Sequence, residues 1–163
     1  MLEKDIQNFI ADFPWLLNIN YEPVIELNNQ GKEYILPDNT RIDLILKDKI
    51  TKRPVIIEFK AVPFYRENIG QILEYKSKVL MEINKENSVL YEIFGDQIVC
   101  PILILVVSEC DDYSRIACNL QGIEIYEYEK AKKTFLKPEE LLSFKETIDN
   151  LSLNILPVNA ERH

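Results

Sequence analysis

The chain has 163 residues, of which 47% are hydrophobic and 28% charged, and its formal net charge is −8. These values suit one globular domain with a sizeable core and exclude an intrinsically disordered protein. The acidic balance argues against a protein that coats nucleic acid. No apolar run approaches the roughly 20 residues of a membrane helix. The N-terminal sequence lacks a signal-peptide pattern, and the three cysteines show no CxxC spacing. We therefore expect a cytoplasmic protein with reduced thiols and no membrane partner.

The first part of the chain is predicted to hold one helix and two short strands. Apolar residues at helical spacing predict a helix over residues 3–13 that ends at Pro14. Residues 21–27 have the pattern of a strand, and Pro23 favours an edge position in a sheet. After a turn, residues 33–36 are predicted to form a second strand.

Two strands and a long helix are predicted next. The strands cover residues 41–47 and 54–60, and the short polar link between them predicts an antiparallel hairpin. A helix is predicted over residues 66–85, because apolar residues form a stripe along it. Gln71 and Tyr75 lie four positions apart and therefore share one row beside that stripe.

Strands and helices alternate in the second half of the chain. Residues 99–107 form its most hydrophobic stretch, and the part after Pro101 is predicted to be a central strand buried on both faces. Three further elements are predicted, namely a helix over residues 111–120, a strand over 123–128 and a final helix over about 138–149.

This order of elements predicts an α/β fold with a mixed β-sheet flanked by helices on both faces. The antiparallel strands come first, and the long helix crosses over to the most buried strand. We predict a single domain over residues 1–150 and a C-terminal tail over residues 151–163.

Charged side chains lie on the predicted hairpin among residues that are otherwise apolar. Asp43 lies inside one apolar strand, and Glu58 and Lys60 flank Phe59 at the end of the other. Alternation places Glu58 and Lys60 on one face, and a buried charge is costly unless it is paired or bound to a metal. This pattern predicts a polar site at the rim of the sheet. Residues 41–80, which carry it, hold nine basic and five acidic residues, whereas the rest of the chain is acidic.

The residue types at this rim suit metal-assisted hydrolysis. Carboxylates are the hard ligands that Mg²⁺ prefers, so we predict that Asp43 and Glu58 bind Mg²⁺ or Mn²⁺. Lys60 is predicted to orient or deprotonate a water, or to contact a phosphate. Gln71 can both donate and accept, and is predicted to position Lys60, water or phosphate. The substrate-binding residues expected beside them are Tyr75, Arg66 and Arg41.

The order of these residues resembles the PD-(D/E)XK, or restriction-endonuclease-like, nuclease superfamily: Asp43, then Glu58-Phe59-Lys60, then Gln71 with Tyr75. Within it, the RIDLIL and VIIEFK strands and the GQILEYK helix are most similar to the catalytic domain of NucS-type endonucleases, over about residues 3–110. The resemblance implies a restriction-endonuclease-like fold and a Mg²⁺-dependent endodeoxyribonuclease. It also implies that an acidic residue of the first helix, here Glu3, joins Asp43 and Glu58 at the metal.

The chain departs from that superfamily in three respects. The segment after Lys60, AVPFYRE, lacks the many basic residues seen in relatives. The proline that often precedes the aspartate is absent, since the local sequence is Arg41-Ile42-Asp43. We also expect no counterpart, within these 163 residues, of the DNA-binding domain that accompanies the NucS catalytic domain. We therefore expect a homodimer or a partner subunit that supplies affinity for DNA. The alternative function is a non-catalytic module of the same fold that binds a partner or oligomerises.

The charged candidates also have purely structural interpretations. Asp43 and Glu58 are alternatively members of ion pairs with Arg41 and Lys60 at the sheet edge. Glu3 is alternatively an acidic residue that stabilises the first turn of a helix.

Other polar residues have structural interpretations as well. Gln71 is alternatively a surface residue of its helix, and Tyr75 a residue of the core or of an interface. Asp111 and Asp112 have the residue types of a metal pair, but we favour a helix cap for them.

Overall fold

A computed structural model describes residues 3–60, 66–95 and 100–128 of the chain. The strands in these ranges are β1 (Tyr21–Pro23), β2 (Lys32–Ile35), β3 (Arg41–Asp48), β4 (Pro54–Lys60), β5 (Ile102–Val107) and β6 (Ile123–Glu127). The helices are α1 (Glu3–Asp12), α2 (Arg66–Ile83), α3 (Val89–Phe94) and α4 (Asp112–Leu120). The helix predicted over residues 138–149 and the boundary predicted at residue 150 lie outside the described residues. None of the helices in the described ranges is long and apolar enough to cross a membrane.

The six strands form one mixed sheet in the order β1-β3-β4-β5-β6, and β2 also pairs with β3. Strands β1, β2 and β4 run antiparallel to β3, whereas β5 runs parallel to both β4 and β6. The predicted hairpin of β3 and β4 is therefore confirmed. Helix α2 follows β4 and returns the chain to the start of β5, which gives the parallel pair.

The core lies between the sheet and helices on both of its faces, as predicted. On one face, Ile56 and Leu103 pack with Ile72 of α2 in the main hydrophobic cluster. On the other face, helix α1 contacts β3 and β4, and its Ile6 and Ile10 are buried. No side chain of β5 from Leu103 to Val107 is more than 3% exposed, which confirms a strand buried on both faces.

Strand β1 is shorter than the sequence predicts. Pairing ends at Pro23, which has no N–H to donate. The chain then turns, with the N–H of Leu27 donating to the carbonyl of Val24 at 3.1 Å. Val24 and Leu27 are buried in the main cluster. Their apolar character therefore reflects packing after a turn, and not a continued strand.

Helix α3 has no counterpart among the predicted elements, although its capping residue is visible in the sequence. The Ser88 hydroxyl accepts the N–H of Tyr91 at 3.0 Å, and Leu90 and Phe94 of this helix are buried. A serine before an apolar pair spaced four apart was the available signal. The helix has only six residues, so its pattern is too short to identify a period.

Removal of this cap is expected to lower the stability of the protein measurably. We expect Ser88→Ala to lower the free energy of unfolding by about 1 kcal/mol, because the N–H of Tyr91 loses its acceptor. Ser77→Ala is the matched control, since the hydroxyl of Ser77, which is exposed, donates to the carbonyl of Leu73 within α2 itself. Alanine favours an exposed helix interior, so the control should unfold at the same urea concentration as the wild type or higher. Equal losses in both variants would contradict the capping role.

Candidate active site

The carboxylates of Asp43 on β3 and Glu58 on β4 each accept a backbone N–H from the neighbouring strand. The N–H of Asp43 donates to Oε1 of Glu58 at 3.3 Å, and the N–H of Phe59 donates to Oδ2 of Asp43 at 3.0 Å. This exchange occurs just beyond Leu44 and Ile57, the pair at which the registered β3–β4 pairing ends. The two carboxylates therefore stand side by side where the hairpin opens.

The electrostatic surroundings of Glu58 are unusual for a carboxylate. Its side chain is only 3% exposed. Burial is the main cause that raises the pKa of Glu58 to about 8, and the charge of Asp43 adds to it, while Lys60 acts in the opposite direction. Two carboxylates at close range repel each other when both are ionised. The pair therefore favours either a bound proton or a bound cation.

Lys60 lies on the same face of β4 as Glu58. The parallel register places Glu58 beside Leu105 and Lys60 beside Val107, and both β5 residues belong to the main cluster beneath α2. Nζ of Lys60 is 3.7 Å from Oε2 of Glu58, so the ion pair considered as a structural alternative is present. The Lys60 side chain is 24% exposed, which leaves its ammonium accessible to solvent.

Gln71 and Tyr75 of α2 form a hydrogen-bonded pair near the carboxylates. Nε2 of Gln71 donates to the hydroxyl of Tyr75 at 2.8 Å. Burial is the main cause that raises the pKa of Tyr75, and the charges of Glu58 and Asp43 raise it further. The phenol is therefore within electrostatic range of both carboxylates. Tyr75 is also part of the main core, so its predicted structural interpretation applies as well.

Arg41, Glu3 and Arg66 are less well placed by the structure. Arg41 is exposed at the start of β3. A hydrogen bond from Lys4 is the main cause that lowers the pKa of Glu33, and the charge of Arg41 contributes, so Arg41 lies near this strand β2 residue. Glu3 and Arg66 open helices α1 and α2, but their side chains lie outside the described part of the chain. The roles predicted for them stay predictions.

The positive charge of residues 41–80 is not concentrated at this site. The turn over residues 49–53 carries much of it and joins the ends of β3 and β4 that lie away from Asp43 and Glu58. A strand rises about 3.3 Å per residue, so several residues of β3 separate the turn from the carboxylates. Arg53 of this turn donates its Nε to the carbonyl of Cys100 at 2.6 Å. The turn is therefore part of the remote end of the sheet.

Asp43 and Glu58 supply the oxygen ligands that a divalent cation needs. No group of three or more His, Cys, Asp and Glu side chains that could hold a metal occurs in the described part of the chain. Mg²⁺ often takes only one or two carboxylates and keeps several waters. Asp43 and Glu58 therefore fit Mg²⁺ or Mn²⁺ as a two-carboxylate site.

Asp111 acts as a helix cap. Its Oδ1 accepts the N–H of Ser114 at 2.7 Å, and this bond from the backbone is the main cause that lowers the pKa of Asp111. This geometry agrees with the interpretation that we favoured for Asp111 and Asp112 over a metal pair.

Sequence reasoning missed one polar residue that contacts the site. Gln7 of α1 is 5% exposed, and its Nε2 donates to the main-chain carbonyl of Asp43 at 2.9 Å. The available signal was its position four residues after Glu3, because such positions share a face of a helix. That Gln7 meets β3 follows only from tertiary packing.

The mixed sheet, its flanking helices and the hairpin define a restriction-endonuclease-like α/β fold. Two solved structures share it. A repair endonuclease from Pyrococcus abyssi matches with a TM-score of 0.55 and 17% identity over 78% of this chain and 46% of that one. EndoMS in complex with double-stranded DNA matches with a TM-score of 0.54 and 16% identity over 77% of this chain and 43% of that one.

At such low sequence identity, the similarity to these two structures shows the fold alone. As a similarity of fold, the predicted resemblance to the NucS-type catalytic domain is confirmed. The chain spans less than half the length of each of these two structures. No protein-family model and no curated protein matches the sequence.

Proposed function

We propose that this chain is a nuclease that hydrolyses phosphodiester bonds in DNA with Mg²⁺ or Mn²⁺ held by Asp43 and Glu58. The observation that carries the proposal is the pair of hydrogen bonds that holds the half-buried Asp43 carboxylate and the buried Glu58 carboxylate side by side, with Nζ of Lys60 3.7 Å from Glu58. The fold shared with a repair endonuclease and with a protein solved on double-stranded DNA supports it.

The residues of the chain would divide the chemistry as follows. A bound divalent cation supplies stabilisation of the charge that develops on the phosphate and lowers the pKa of water. Asp43 and Glu58 hold the cation, and Lys60 orients the attacking water or the phosphate through its accessible ammonium. Gln71, held by its bond to Tyr75, presents its amide to Lys60, water or phosphate.

Glu3 is proposed as a further ligand. Positions 3 and 7 share a face of α1, and Gln7 on that face contacts the backbone of Asp43. This shared face supports the placement of residue 3 on the side of the helix that is turned toward β3.

Affinity for DNA is proposed to come partly from elsewhere. The net charge of −8 gives the chain little general attraction to a phosphate backbone. We propose Arg41, Arg66 and Tyr75 as local substrate contacts. A partner subunit or a second copy of the chain would supply the remaining affinity.

A non-catalytic module of the same fold is the alternative. The observation that favours it is the 3.7 Å contact between Nζ of Lys60 and Oε2 of Glu58, which compensates the charge of Glu58 without any cation once this carboxyl is ionised. Calorimetric titration with MnCl₂ separates the two functions. Binding that disappears in Asp43→Asn favours the nuclease, whereas no binding together with no cleavage favours the module.

Lys60→Met tests the proposed function against a closely matched control. We expect it to slow cleavage by about 100-fold, because the group that orients water or phosphate is lost. Lys47→Met is the control, since Lys47 lies on the same hairpin and its Nζ is 3.8 Å from Oε1 of Glu22. This variant should stay within about two-fold of the wild type.

The assay uses supercoiled, linear and single-stranded DNA, and RNA, each with Mg²⁺, Mn²⁺ or EDTA. Cleavage confined to the metal-containing reactions is the expected result. No cleavage of any substrate by the wild type would refute the nuclease function of the chain alone. Equal losses in the two lysine variants would refute the role of Lys60.

A further inference from the structure

Gln7 is a buried polar residue of helix α1. It lies between Ile6 and Ile10 of α1, which are both buried against the sheet, and it is itself 5% exposed. A buried amide is costly unless it is hydrogen-bonded. Its donor reaches one particular group, the main-chain carbonyl of Asp43, at 2.9 Å.

Asp43 lies at an irregular point of the sheet. On the side of β4, the regular strand pairing ends at the adjacent pair, Leu44 with Ile57. On the β2 side, pairs lie on both sides of Asp43, but Glu33, which stands opposite it in this register, has a φ of 52°. A glutamate with a positive φ has left the extended conformation of a strand. The regular ladders that fix most strand residues therefore fix Asp43 less well.

Three contacts occur at the polar groups of Asp43. Its N–H donates to Glu58, its Oδ2 accepts from the N–H of Phe59, and its carbonyl accepts from Gln7. The first two contacts link Asp43 to the Glu58 carboxylate and to the backbone of Phe59, both on β4. The contact from Gln7 ties this backbone segment to helix α1, a different layer of the fold.

We infer that Gln7 is a positioning residue, whose buried amide holds the backbone of Asp43 and thereby aims the Asp43 carboxylate at the candidate metal site. The inference rests on the proposed function for its catalytic consequence, but the positioning itself is a property of the apo protein. A small displacement of a catalytic group lowers turnover strongly without changing substrate contacts. Loss of Gln7 should therefore act on kcat and not on KM.

The test compares Gln7→Met with Asn8→Leu. Methionine retains the size of glutamine but has no donor. Asn8 is the matched control because it lies next to Gln7 on α1 and its Oδ1 accepts from Nζ of Lys32 at 3.0 Å, away from Asp43. We expect Gln7→Met to lower kcat by about tenfold with KM within about two-fold of the wild type, and Asn8→Leu to change neither by more than about two-fold.

A second readout needs no activity. Amide hydrogen exchange of Phe59, whose N–H donates to Asp43, should become about tenfold faster in Gln7→Met relative to the amide of Leu105 in the same protein. If Gln7→Met does not fold, Gln7→Glu, which retains the length of the side chain, is measured in its place. If the wild type cleaves no substrate, the proposed function fails, and the exchange of Phe59 alone decides the role of Gln7.

Unchanged exchange of Phe59 in the Gln7 variant would overturn the inference. An equal fall of kcat in Asn8→Leu would also overturn it, because the effect would then belong to the docking of α1 in general. A selective change in Gln7→Met supports it.

Discussion

Glu58→Gln is expected to reduce DNA cleavage in Mg²⁺ by at least about 1000-fold, and Asp43→Asn by a similar factor. Each amide retains the size of the side chain and an oxygen that can accept the backbone N–H now bound. Each change removes a negative charge that would hold the cation. Because the two carboxylates act as a unit, the cleavage rate of the double variant should lie within about tenfold of the rate of either single variant.

Glu22→Gln is the matched control for this prediction. Glu22 lies on β1 of the same sheet and pairs with Lys47 at the end of β3 away from Asp43. Its replacement should leave the rate within about two-fold of the wild type. Circular dichroism confirms that each variant is folded before its rate is compared. A folded Glu58→Gln or Asp43→Asn protein that retains more than about a tenth of wild-type activity would contradict the two-carboxylate site.

The metal-free protein is expected to lose stability as the pH rises from about 6 to about 8.5, and Glu58 is the cause. Its pKa is raised to about 8 in the folded state from an ordinary value of 4.5. The folded protein therefore binds this proton more tightly than the unfolded chain does. The stability that the proton contributes is complete below pH 4.5 and is lost as the pH rises through 8.

Urea denaturation in EDTA measures this effect. Between the two pH values, the free energy of unfolding of the wild type should fall by about 2 kcal/mol more than that of Glu58→Gln. MnCl₂ should restore the stability of the wild type at the higher pH, because the cation replaces the proton between the carboxylates. It should not stabilise Glu58→Gln to the same extent. Parallel pH profiles for the two proteins would show that Glu58 does not carry the shifted titration.

Most of the sheet could be predicted from the sequence because its central strands are long, apolar and bounded by clear turns. The strands β3, β4 and β5 and the helix α2 lie within two residues of their predicted bounds. Strand β1 is shorter than predicted and helix α3 was not predicted, since a strand of three residues and a helix of six are too short to show a period. At both places the structure is decided by the burial of apolar side chains, which follows a turn at β1 and a capping residue at α3.

The candidate site could be predicted only in part. Alternation along β4 correctly placed Glu58 and Lys60 on one face, and the hairpin brought Asp43 beside Glu58. The net positive charge of residues 41–80 did not indicate where the site lies, because the basic turn after β3 lies at the other end of the hairpin. The contact of Gln7 with Asp43 joins residues 36 positions apart. No local pattern encodes such a contact, since it depends on how α1 packs on the finished sheet.

The central claim is that Asp43 and Glu58 share one divalent cation, and anomalous diffraction from crystals grown with MnCl₂ tests it most directly. We expect an anomalous peak within coordination distance of an oxygen of Asp43 and an oxygen of Glu58, with Lys60 beside it. The peak should be absent from crystals of Asp43→Asn. Wild-type crystals with no peak between these two carboxylates at saturating Mn²⁺ would contradict the account.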